Sequence, residues 1–103
     1  MENLNDFNKC LLKAKITHAE LLKEENLYRI IYQIDKGDDS KDFIFDYFDL
    51  HSIEENQRLI RTIVHAVGIV PEELQSFFFE NCLVVVEIIK DCQVNVLFKL
   101  EDE

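Results

Sequence analysis

The chain has 103 residues, 21 acidic against 11 basic, a formal net charge of -10, 48% hydrophobic residues and 11% aromatic. A length of this order holds a single domain, 1–103, because two cores would leave each half too little interior to offset its chain entropy, and the apolar fraction is too high for a disordered chain. The charge excludes a tight, indiscriminate grip on duplex DNA or anionic lipid, which rests on Lys and Arg displacing counterions.

No apolar run approaches the ~20 residues of a membrane span, and Met1-Glu2-Asn3-Leu4-Asn5-Asp6 lacks the basic and apolar regions of a secretion signal. The expectation is a soluble, cytoplasmic protein with no membrane partner. From Lys9 to Thr17 the residues alternate, Cys10, Leu12, Ala14 and Ile16 against Lys9, Lys13, Lys15 and Thr17, which reads as a half-buried strand. Asn26 to Ile34 places Tyr28, Ile30, Tyr32 and Ile34 on one side and Arg29 and Gln33 on the other, a second strand rich in β-branched and aromatic residues. The polar stretch 35–40, with Gly37, reads as a hairpin loop. Lys41 to Leu50 is aromatic enough on both sides to be a strand covered on each face.

The period then changes to three and four. Ile53, Leu59, Ile60, Ile63, Val64 and Val67 form the apolar stripe of a helix over Ile53 to Val67, with Ser52 as N-cap, Glu54 and Glu55 in the first turn and Gly68 as the stop. Pro71 opens a short helical turn through Leu74. Cys82 to Ile89 and Cys92 to Leu100 read as two more strands joined tightly at Lys90-Asp91.

The fold expected from this order, β-β-β-α-β-β, is mainly β with one helix. It matches a five-stranded OB-like antiparallel barrel whose helix, between the third and fourth strands, plugs one end. An open antiparallel sheet with the helix on one face fits the same pattern.

The segment Phe43-Ile44-Phe45-Asp46-Tyr47-Phe48, followed by Asn56-Gln57-Arg58-Leu59-Ile60, then Ala66-Val67-Gly68-Ile69 and Pro71-Glu72-Glu73-Leu74, resembles a phage family of unknown function regarded as single-stranded-DNA-binding-like. The resemblance covers roughly Lys13 to Leu100, and its motifs are short and mostly structural. It implies an OB-type accessory protein of phage or mobile-element origin, acting in replication or recombination inside a bacterial host cell. The chain departs from the family at Glu80-Asn81, where members usually place Gly-Lys, and in the further C-terminal region that members often carry; both departures weaken the case for contact with backbone phosphates.

Non-specific single-strand binding needs exposed rings on which bases stack and a cationic groove for phosphates. Tyr28, Tyr32, Phe43, Phe45 and Tyr47 are the candidate rings, on the two strands that OB folds present to oligonucleotides. Aromatic residues in strands also fill cores, and the sequence leaves that reading open for each ring. Lys9, Lys13, Lys15 and Arg29 are the candidate cations, with Arg58 and Arg61 as a second strip. Segment 24–57, which would face DNA, carries a net charge of -7.

That stretch supports a second reading. Asp35, Asp38, Asp39, Asp42, Asp46, Asp49, Glu54 and Glu55 could imitate a row of phosphates, making the chain an acidic nucleic-acid mimic that inhibits a host defence nuclease in the anti-CRISPR manner. The partner is then a nucleic-acid-processing protein rather than single-stranded DNA. The same carboxylates also serve as an ordinary solubilising surface.

Chemistry finds no foothold. His18, His51 and His65 are scattered, no phosphate loop or nucleophile motif occurs, and the acidic loop lacks the register of a calcium site. Cys10, Cys82 and Cys92 share no metal-ligand spacing and read as buried, reduced thiols. No cofactor, metal site or enzymatic activity is expected. Leu27, Ile31, Leu83, Val85 and Leu97 fall opposite the core positions, and Phe77-Phe78-Phe79 cannot all point inward, so a homodimer is one way to cover them.

Overall fold

The computed structural model describes residues 11–35, 41–72, 81–90 and 93–100. The elements are β1 (Leu11–Leu22), β2 (Leu27–Asp35), β3 (Lys41–Asp49), helix α1 (Ile53–Val67), β4 (Cys82–Lys90) and β5 (Gln93–Lys99). All five strands form one antiparallel sheet in the order β3-β2-β1-β4-β5, with β1 in the centre.

The inner face is set by alternation. Ala14 and Ile16 on β1, Tyr28, Ile30, Tyr32 and Ile34 on β2, Phe48 on β3, Val84 and Val86 on β4, and Val94 and Val96 on β5 are all buried. They pack with Leu59, Ile63 and Ala66 of α1 into one core. β1 runs five residues beyond the expected end at Thr17. The register shifts between Ile16 and His18, a bulge that inserts one residue and restores inward phase to Ala19. At the far end Asn26 adopts a left-handed φ of 59°, and its carbonyl accepts from the Leu50 N–H at 3.0 Å.

The helix begins and ends where the sequence places its caps. The Ser52 hydroxyl accepts from the Glu55 N–H at 3.2 Å, and Gly68 has φ 87°, with its N–H on the Val64 carbonyl at 2.7 Å. Pro71 and Glu72 are not helical, and the rest of that expected turn lies outside the described residues, as do Cys10, Cys92 and Phe77 to Phe79.

The sheet does not close into the expected cylinder. β3 and β5 are its two edges, with no ladder between them, and α1 packs against β5, β3 and β4 on the open side. The reason lies at the seam. There the Val94 N–H donates to the Asp46 side chain at 3.3 Å instead of to a β3 main-chain carbonyl, so a carboxylate occupies the position where strand pairing would continue. Among the described residues no helix is long and apolar enough to cross a membrane.

Candidate nucleic-acid interface

Alternation on β3 runs against simple hydrophobic expectation. Asp42, Ile44, Asp46 and Phe48 oppose the inner residues Ile34, Tyr32, Ile30 and Tyr28 of β2, so Phe43, Phe45 and Tyr47 are turned outward. Their exposures are 54%, 43% and 44%. Successive rings on one side of a strand stand about 6.8 Å apart, so the three make a row along the sheet edge.

The outer face of β1 and β2 completes the surface. Glu20, Arg29 and Tyr47 form one cross-strand row, Lys15, Gln33 and Phe43 another, and Lys13 lies opposite Asp35. Arg29 is ion-paired with Glu20, and its hydrogen bonds with Tyr47 and then Glu20 hold its pKa above the usual value. It therefore presents less free charge than Lys13 and Lys15, which are exposed. Lys9 lies outside the described residues.

Two candidate rings are not on this surface. Tyr28 and Tyr32 have no exposure, because they sit at inward positions of β2, and no base can stack on them. The structure thus brings together Phe43, Phe45, Tyr47, Arg29, Lys13 and Lys15 and leaves Tyr28 and Tyr32 in the core. Of the outward apolar set, Ile31 is covered, Leu83 is exposed, and Leu27, Val85 and Leu97 are half-buried.

The acidic residues do not share a face. Asp42 and Asp46 have inward phase on β3, whereas Asp49 has the opposite phase and Asp35 ends β2 beside Lys13. Glu54 is exposed in the first helical turn, Asp49 accepts from the His51 N–H at 3.0 Å, and Asp38 and Asp39 lie outside the described residues. Asp46 is buried at 2% exposure and takes two hydrogen bonds from Arg58, at 3.0 and 3.2 Å. The same guanidinium donates to the Tyr47 carbonyl at 3.2 Å and to Glu55 at 3.1 Å, and lies 4.1 Å from the Phe48 ring centre. Arg58 thus ties the helix to the strand that carries the rings. Arg61 is exposed.

Sequence reasoning missed this pair. The available signal was Arg58 beside the buried helical stripe Leu59, Thr62, Ile63 and Ala66, with Asp46 at an inward position of an otherwise apolar strand.

Burial pushes the Asp46 carboxyl above its ordinary range, against the lowering by the Arg58 hydrogen bonds and charge and by the Val94 N–H. Burial likewise raises the Tyr32 hydroxyl, helped by the nearby Asp46 charge, and the half-buried Cys82 thiol. A carboxyl whose pKa is higher folded than unfolded gives stability that is fully present below the unfolded value and is lost as pH rises through the folded one. Urea denaturation of the wild type should therefore show stability falling as pH rises from about 3.9 through the raised Asp46 value. Asp46→Asn keeps an acceptor for Arg58 and removes the titration, so its profile over that window should be flatter; an identical slope would contradict the assignment. Neither family models, nor curated proteins, nor solved structures yield a match to this chain.

Proposed function

We propose that this chain is an OB-like accessory protein of phage or mobile-element type that binds single-stranded DNA on the outer face of β1, β2 and β3. One observation carries the reading: three exposed rings, Phe43, Phe45 and Tyr47, stand in file on one strand, with Arg29, Lys13 and Lys15 on the two strands beside it. Rings in file provide stacking platforms for successive bases, and neighbouring cations meet the phosphates. The strand order supports the OB-like part, since β3-β2-β1-β4-β5 is that of a five-stranded barrel slit between its third and fifth strands.

The net charge of -10 opposes binding at long range, so affinity should depend on ring stacking and fall only gently with salt, by the slope of about two or three phosphate contacts. A fluorescent oligonucleotide titrated at low ionic strength should gain anisotropy with protein at micromolar concentration. No change at tens of micromolar would overturn the reading. The acidic-mimic alternative receives less support, because its carboxylates are divided between two sheet faces and one of them is buried in an ion pair.

A further inference from the structure

Across β2 from the rings, the outer face holds a cleft of about 360 Å³ lined by Lys13, Lys15, Gln33, Asp35, Leu83 and Leu100. Its far wall is fixed by the Leu100 N–H on the Leu83 carbonyl at 2.8 Å, which brings the residue after β5 against β4. The cleft is continuous with the ring row by register. Phe43 opposes Gln33, Gln33 opposes Lys15, and Lys15 opposes Leu83, so these four side chains lie in one line across β3, β2, β1 and β4. From β3 to β1 is two strand spacings, about 9.6 Å.

The lining is chemically divided. Lys13 and Lys15 make no ion pair or hydrogen bond with any described residue, in contrast to Arg29 and Arg58, whose charges are matched by carboxylates. Two ammonium groups, one of them with Asp35 across the ladder, beside two leucines suit a ligand with an anionic end and a flat apolar face. The volume is at the small end of organic-ligand sites, enough for one nucleotide and too little for a duplex segment.

We infer that the cleft receives one nucleotide unit of the bound strand, beyond the base on Phe43, with its phosphate at Lys15 and Lys13 and its base against Leu83 and Leu100, three strand spacings or about 14.4 Å from β3. The inference rests on the single-strand reading above and adds its direction: three bases on the rings and a further one across the sheet in the cleft. At least five nucleotides are then spanned, within the range of about 4 to 16 for one such domain.

Titrations of a labelled oligothymidylate at several salt concentrations test it, with Lys15→Ala, Leu83→Asp, Phe45→Ala and, as control, Lys23→Ala in the β1–β2 turn at the opposite end of the strand. Lys15→Ala should weaken binding about tenfold and reduce the log–log salt slope by about 0.7, the loss of one phosphate contact on a single strand. Leu83→Asp should weaken it at least as much, and Lys23→Ala, with the same change in net charge, should alter it less than twofold. Equal losses for Lys15→Ala and Lys23→Ala would overturn the cleft in favour of net charge alone. Unchanged binding by Lys15→Ala and Leu83→Asp, with loss for Phe45→Ala, would overturn the cleft and leave the ring row standing. Failure of the wild type to bind any oligonucleotide would overturn both.

Discussion

Replacing Arg58 by methionine should lower the unfolding free energy by about 3 to 5 kcal/mol, the usual cost of leaving a buried charge without its partner. The Asp46 carboxylate is 2% exposed and, without Arg58, would retain among the described residues only the Val94 N–H as a donor. Methionine keeps an apolar stem against Phe48, so the loss reports on charge and hydrogen bonding more than on packing. Domains of this size have total stabilities of about 5 to 15 kcal/mol, so the variant should stand close to its folding limit. Urea denaturation measures the effect, with Arg61→Met as the exposed control, expected within about 0.5 kcal/mol of wild type. Adding Asp46→Leu to Arg58→Met should restore much of the loss, because an apolar pair replaces an uncompensated charge; the unmet Val94 N–H sets the remainder. Equal stabilities for Arg58→Met and Arg61→Met would remove the ion pair from its structural role.

The ring row should show the second large effect, on affinity rather than stability. Each base stacked on an aromatic side chain contributes about 1 to 3 kcal/mol, so Phe43→Ala, Phe45→Ala and Tyr47→Ala should each weaken oligonucleotide binding about 5- to 150-fold. The triple variant should show no binding in the micromolar range. Stability should change little at Phe43 and Phe45, whose rings are about half exposed, so any loss of binding there is local. Tyr47 differs, because it faces Arg29 across the β2–β3 ladder, and Tyr47→Phe separates the role of the ring from that of the hydroxyl. Stacking tolerates that change, and weaker binding by Tyr47→Phe would point to the placement of Arg29. A triple variant that binds as tightly as wild type would remove the outer face of β3 from the interface.

Much of this architecture is legible in the sequence because it depends on local signals. Helix α1 is marked at both ends, by a hydroxyl that can accept from the first turn and by a glycine that can turn left-handed, and its bounds agree with the pattern. Strands β2, β4 and β5 are readable from alternation to within about two residues. β1 is not, since the bulge between Ile16 and His18 shifts the phase and makes a continuous strand look as if it ends at Thr17. Nor does the pattern determine whether five strands close, because closure depends on the partners of a few edge groups. Here the Val94 N–H meets a side chain instead of a strand.

The candidate site was legible in composition and hidden in orientation. Alternation says that Tyr28 and Tyr32 share a face, and that Phe43, Phe45 and Tyr47 share one, but not which face looks inward. Hydrophobicity alone would bury the three rings of β3 and expose Asp42 and Asp46. The rings face outward and Asp46 inward because Arg58, twelve residues further along the chain, supplies a partner that lets Asp46 be buried, while Asp42 at the start of the strand stays exposed. The partnership is long-range and has no periodic signature, so pattern reading cannot see it.

The unclosed seam also bears on how copies of the chain meet in crowded solution. An unpaired border strand invites another copy to add itself edge to edge and so extend into a fibre, and natural sheets discourage this with charges aimed at the wrong side of such a strand. Asp42 has that phase on β3 and is exposed, so an incoming strand would have to settle over its carboxylate, whereas Asp46 is already buried against Arg58. Asp42→Lys would keep this safeguard against polymerisation, and Asp42→Val should weaken it.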